Sequence, residues 1–156
     1  GGQNLEEALM ELLLALKDVM AAPNILKVGF QIRDDLKKIA TTNKALASTL
    51  ESVESLLDLS VWYSQSVPRS APQISLAGLV AESMEGAVLN KEACLSNWEA
   101  RPLSEKQLKY AALDAAVLLP LFLRLHTSMP VLYKDLITHF SAAGRKGKSD
   151  VDSDDV

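Results

Sequence analysis

A single cysteine, Cys94, stands in the 156 residues, so no intrachain disulfide can form and a cysteine-rich zinc site is excluded. Such cysteine use predicts an intracellular setting, nucleus or cytoplasm. Cys94 itself, with no histidine nearby, reads as a small buried hydrophobe. Histidine is almost as rare. His126 and His139 lie far apart, lack metal-ligand spacing and read as helix-surface residues. Glycine occurs only seven times, with no Gly-rich phosphate cradle among the seven. Long apolar runs are missing too: the most apolar stretch, Leu9 to Leu16, is interrupted by Glu11 and is too short to span a bilayer, so no membrane partner is expected. The succession of basic, apolar and small residues that marks a secretory leader is not seen.

An excess of positive charge is also lacking. The formal net charge is −4, and Asp150, Asp152, Asp154 and Asp155 supply the whole imbalance, because without them 16 acids face 16 bases. A neutral body has no global electrostatic footprint for nucleic acid, so any such site must be local. The local basic groups are Arg33, Lys37 and Lys38, then Arg101, Lys106 and Lys109, then Arg145, Lys146 and Lys148. Each group also suits a solvated helix face or loop.

What is present is a 48% hydrophobic content, enough for one domain with a core. Asn4 followed by Glu7 starts a helix, and Leu5, Ala8, Leu9, Leu12, Leu13 and Leu16 keep helical spacing to about Met20. Ala22-Pro23-Asn24 breaks it, and residues 25–30 form a short β-leaning run. Helical segments are expected from about Asp34 to Ala40, Lys44 to Leu50, Ile74 to Glu85 and Val131 to Ala143. The apolar run from Leu56 to Tyr63 suits a strand or a helix by its residues alone. Residues 144–156 are glycine, lysine, serine and aspartate and are expected to form a disordered tail behind a domain spanning 1–143.

The most telling stretch runs from Ser96 to Ala115. Asn97-Trp98 and Arg101-Pro102 read as an anchored loop, and Trp98 as its core anchor. Ser104 with Gln107 is a capping-box signature for the helix that follows. Tyr110 and Asp114 sit one helical turn apart on one face. An inner stripe of Leu108, Ala111, Ala112, Ala115 and Leu119 is expected beside them, with Pro120 kinking or ending the helix.

This run resembles the third motif of the DEDD-type 3′-to-5′ exonucleases, tyrosine subclass, the group of ribonuclease D and the Werner-syndrome exonuclease domain. There a W-x-x-R-P-L loop precedes a helix carrying Y-x-x-x-D. Residues 27–36, Lys-Val-Gly-Phe-Gln-Ile-Arg-Asp-Asp-Leu, resemble the family's second motif, a strand that delivers an aspartate at the start of the next helix. Counting from Lys27, the matching aspartate is Asp35; Asp34 is the helix-capping alternative and could exchange roles with it.

The resemblance implies an α/β fold: a partial ribonuclease-H-like domain, mostly helical, with about two strands. One is placed near Ser55 to Leu59. It also implies hydrolysis of the 3′ end of DNA or RNA with two Mg²⁺ or Mn²⁺ ions, hard cations suited to carboxylate ligands. Asp114 would ligate the ion that activates water and Asp35 the second, while the Tyr110 hydroxyl orients the water. Arg33, Arg101, Lys106 and Lys109 would face the nucleic acid.

One family element is missing. The first motif, a D-x-E on the domain's first strand, should precede the helix that begins near Leu5, and no D-x-E occurs before Lys27. The resemblance covers about Leu5 to Leu125, and some three N-terminal strands have no counterpart. Three explanations stay open: a fragment, a split enzyme whose N-terminal half comes from another chain, or a protein without catalysis. An exposed sheet edge in such a chain would favour self-association.

Overall fold

The computed structural model describes residues 2–90 and 92–142, so the acidic tail expected over 144–156 lies outside the described residues. Helix α1 is Gly2–Ala21, strand β1 Lys27–Gly29, α2 Ile32–Thr42 and α3 Lys44–Thr49. Strand β2, Val53–Asp58, runs directly into α4, Leu59–Ser66, and α5 follows at Leu76–Ser83. Helices α6, Glu105–Ala116, and α7, Leu118–Ser128, are succeeded by a 3₁₀ turn at Tyr133–Leu136 and by strand β3, Thr138–Phe140. The strand order is β1-β2-β3, with β1 and β2 parallel and Lys27, Val28 and Gly29 facing Leu56, Leu57 and Asp58.

The chain divides into two compact units. The first gathers residues up to Ile25, Arg33–Ser55 and the segment from His139. Here α1 packs on α3, and Lys17 bridges to Glu51 at 3.4 Å. Asn43 caps α3 by accepting hydrogen bonds from the backbone N–H groups of Ala45 and Leu46. Leu36, Leu50, Val53 and Phe140 are buried. Along the rest of α1, however, Leu5, Leu9, Leu12, Leu16 and Val19 keep helical spacing and all are exposed, Leu5 by 74% and Leu12 by 65%. The periodicity that identifies the helix therefore marks a face that nothing in this unit covers.

The second unit comprises Leu26–Ile32 and Leu56–Thr138 and holds the larger core: Leu57, Leu59, Trp62, Tyr63, Leu79, Val80, Leu121 and Leu125. The ambiguous apolar run is strand first and helix second because Asp58 caps α4, its carboxylate accepting from the Ser60 N–H. Trp62 is buried with its indole N–H donating to the Val131 carbonyl at 2.8 Å, so its polar edge is satisfied. Tyr63 likewise donates its hydroxyl to the Glu82 carboxylate at 2.9 Å. Burial pushes the Tyr63 phenol above its ordinary pKa, and the bond to Glu82 adds to the rise.

Two expectations from periodicity fail here and one holds. The segment 131–143 is not a helix: it holds the 3₁₀ turn and β3, making three strands where about two were expected. Thr138, His139 and Phe140 suit a strand, and the Thr138 hydroxyl donates to the Leu56 carbonyl at 3.3 Å. His139 therefore lies on a strand rather than a helix. Pro120 ends α6 as expected: the helix stops at Ala116, whose carbonyl an N–H at position 120 would have bonded, and the chain resumes after Val117 as α7. It sits in the first turn of α7, where a missing N–H costs little. The expected inner stripe faces solvent, with Leu108 on α6 and Leu119 on α7 exposed by 54% and 64%, while Gln107, Tyr110 and Asp114 turn inward.

Candidate active site

Gln107 organises the site from below. Its backbone N–H donates to the Ser104 Oγ, and its own Oε1 accepts from the Ser104 N–H at 2.9 Å, completing the capping box. The side chain is only 6% exposed, and its Nε2 donates to the Asn97 carbonyl at 2.9 Å and to the Ser96 Oγ at 3.1 Å. One amide thus caps α6 and ties the preceding loop to it. Arg101 adds two bonds within the loop, donating to the carbonyls of Trp98 and Ala100 at 2.9 and 2.8 Å. The Arg101-Pro102 peptide bond is cis.

The loop presents Trp98 to Tyr110. Their ring centroids are 6.0 Å apart with planes tilted by 53°, and the Trp98 indole N–H donates to the Cys94 carbonyl at 3.3 Å. Trp98 is half-buried against the tyrosine rather than sunk in the core. Cys94 is exposed, contrary to the expectation of a buried hydrophobe, because it lies on the rim of an open cavity. That cavity has a volume of about 470 Å³ and is lined by Tyr110, Asp114, Cys94 and Gln31, with Phe30 and Leu89 among its apolar walls.

The Tyr110 phenol is held well above its ordinary pKa, first by a side-chain hydrogen bond with Cys94, then by burial and by its bond to the Asp114 carboxylate. A tyrosine so placed keeps its proton at neutral pH and can hold a water or a substrate oxygen beside Asp114. Cys94 and Gln31 escaped the sequence reading. Gln31 lies inside the recognised second motif, but nothing in its spacing says that it opens on the same cavity as Tyr110.

Asp35 and Asp34 occupy the first turn of α2, in the first unit, where both suit the positive end of the helix. Asp34 pairs with Lys37 at 3.1 Å, whereas Asp35 is exposed. Neither is the N-cap, since the helix already begins at Ile32. Arg33 donates to the His139 carbonyl at 2.9 Å. Lys106 and Lys109 are exposed on α6. Of the four basic residues expected at a nucleic-acid face, two are thus engaged with backbone carbonyls and two extend into solvent. Among the described residues no three acidic, cysteine or histidine side chains cluster closely enough to hold a metal ion.

Comparison with known proteins gives the class to which the chain belongs. Residues 3–130 match the model of the 3′-5′ exonuclease family. The chain belongs to the DEDD 3′-5′ exonuclease family, whose members are metal-dependent and act on nucleic acid. The human exonuclease mut-7 homolog is 36% identical over 111 residues, 65% of this chain and 12% of that protein. Ribonuclease D of Musicola paradisiaca is 51% identical over 49 residues, 31% of this chain and 13% of that protein. Among solved structures, the Aedes aegypti Nibbler EXO domain aligns with 27% identity and a TM-score of 0.63, covering 76% of this chain and 59% of that one. The chain therefore spans about an eighth of the curated relatives it matches. Its mostly helical architecture with a small sheet corresponds to part of the exonuclease fold.

Proposed function

We propose that this chain supplies the C-terminal part of a 3′-5′ exonuclease active site acting on DNA or RNA ends, and that alone it has little activity. The observation that carries the reading is the cavity lined by both Tyr110 and Asp114 beside the Gln107-fastened loop. In this reading the Tyr110 hydroxyl orients the attacking water, and Asp114 and Asp35 are the chain's two carboxylates toward Mg²⁺ or Mn²⁺. Lys106 and Lys109 approach the phosphate backbone, with Arg101 and Arg33 contributing positive potential from their anchored positions.

The donors present do not complete a divalent-ion site. Among the described residues Asp114 is the one carboxylate lining the cavity, and a hard cation takes several oxygen ligands. When bound, such ions supply Lewis-acid activation of the water and of the departing 3′ oxygen. The two missing carboxylates belong to a D-x-E segment, and we assign the uncovered leucine face of α1 to the same missing N-terminal half, supplied within a longer polypeptide or by a second one.

The test is an exonuclease assay with Mg²⁺ or Mn²⁺ on this chain and on a fusion placing a D-x-E-bearing N-terminal half from a 3′-5′ exonuclease of the family before it. The chain alone is expected to release no 3′ nucleotides. The fusion should release them, with loss on Asp114→Ala or Asp35→Ala and a drop of about 10²-fold on Tyr110→Phe. Robust release that survives both aspartate substitutions would sink the assignment.

A second reading, a non-catalytic nucleic-acid-binding or protein-binding remnant of the family, is favoured by the absence of a three-ligand cluster among the described residues. It predicts salt-sensitive binding that is indifferent to Tyr110→Phe and no gain of activity in the fusion.

A further inference from the structure

The turn after β1 asks for glycine and holds glutamine. Gln31 has φ 54°, in the left-handed region that side chains other than glycine, asparagine and aspartate rarely adopt. The turn is tight in other ways: a Cβ on Gly29 would meet the Ile32 side chain at 2.5 Å. What fixes the unusual backbone is Asp58, itself 9% exposed at the end of β2. Its Oδ1 accepts from the Gln31 N–H at 2.9 Å, from the Ser60 N–H at 3.0 Å and from the Ser60 hydroxyl at 2.7 Å. The parallel pairing of Gly29 with Asp58 brings this carboxylate to the turn.

A glycine would satisfy that backbone without strain, so the side chain is the part of Gln31 that needs a reason. It opens on the cavity lined by Tyr110 and Asp114, beside the apolar wall that includes Phe30 and Leu89. A carboxamide there offers two donor hydrogens and an acceptor oxygen, the pattern that matches the polar edge of a base or a sugar hydroxyl.

We propose that Gln31 is a specificity-determining residue, its carboxamide hydrogen-bonding the terminal nucleotide that occupies the cavity, while Asp58 positions it by locking the left-handed turn. This rests on the exonuclease reading and goes further by naming a contact outside the metal and water machinery.

Cys94, the chain's sole cysteine and on the same cavity, makes the test site-specific. Alkylation of Cys94 by iodoacetamide is followed by mass spectrometry on the full chain, with Mn²⁺, against increasing GMP, dGMP or inorganic phosphate, for the wild type and for Gln31→Gly. Thermal unfolding is recorded for both proteins.

GMP or dGMP should protect Cys94 in the wild type. Gln31→Gly should need about fivefold more nucleotide for equal protection, the scale of one lost hydrogen bond, while melting at the same or a higher temperature. A merely structural role for Gln31 would not separate these two readouts. GMP and dGMP affected differently place the contact at the sugar; both affected equally place it at the base. Equal protection of the two proteins overturns the role of Gln31 and leaves the exonuclease reading intact. Protection by phosphate equal to that by nucleotide also overturns it, and no protection of the wild type removes the cavity assignment and the inference with it.

Discussion

Replacing Gln107 by alanine leaves its backbone N–H on the Ser104 Oγ but removes the bonds of one buried side chain, and the loss can be worked out bond by bond. The return half of the capping box, the Ser104 N–H to the Oε1, contributes about 1 kcal/mol. The two Nε2 bonds, to the Asn97 carbonyl and the Ser96 hydroxyl, contribute about 1 kcal/mol each. Against this, freeing a glutamine side chain and gaining alanine's helix propensity return about 1 kcal/mol. The net destabilisation is about 2 kcal/mol, or a fall in Tm of roughly 4–8 °C for a chain of this size. Urea unfolding followed by circular dichroism should show a lower midpoint at unchanged slope.

Gln107→Glu sharpens the reasoning. A carboxylate can still accept from the Ser104 N–H but cannot donate to the Asn97 carbonyl, so it should recover less than half of the loss. The loop that presses Trp98 on Tyr110 loosens in both variants, and Cys94 should alkylate faster. If Gln107→Ala costs less than about 0.5 kcal/mol, or Gln107→Glu matches the wild type, Gln107 does not tie the loop to the helix.

Other outcomes are open to direct measurement. Tyr63 and Tyr110 both have pKa values raised above 10.0 in the folded chain, so each contributes stability that is present below pH 10 and lost as pH rises above it; near-ultraviolet phenolate absorbance should show a component that appears only well above pH 10 and vanishes on Tyr110→Phe. Trp62→Ala should cost about 3–5 kcal/mol, because it empties the centre of the larger core and orphans the Val131 carbonyl, and calorimetry of the variant checks it. Leu9→Glu on α1 should change the unfolding free energy by less than about 0.5 kcal/mol in urea melts while lowering self-association in sedimentation, since that side chain is already 55% exposed.

The elements that could be read from the sequence are those whose signals are local. The capping box at Ser104 and Gln107 and the break at Ala22-Pro23-Asn24 appear where their residues place them, whereas the strand ahead of Leu59 is legible only through the family resemblance. What could not be read depends on what lies opposite. The stripe that begins on α6 reads as inward because apolar residues usually are, yet this unit turns Tyr110 and Asp114 to the cavity, buries Gln107 against the preceding loop and leaves Leu108 and Leu119 outside. Residues 131–143 show mixed spacing, and the partner that makes Thr138–Phe140 a strand is β2, some eighty residues away in the chain. Cys94 and Gln31 belong to the site by position in space, and no spacing rule joins residues 31, 94, 110 and 114. The motif reading reached Tyr110 and Asp114 because both lie on one helix face.

The leucine face of α1 bears on how long such a polypeptide lasts. Leu5, Leu9, Leu12, Leu16 and Val19 form the kind of exposed apolar stripe that a holdase or a degradation receptor would grip. Covering that face would therefore do more than complete a catalytic centre: it would remove a signal for disposal. Abundance in the cell would then follow the supply of whatever occupies α1.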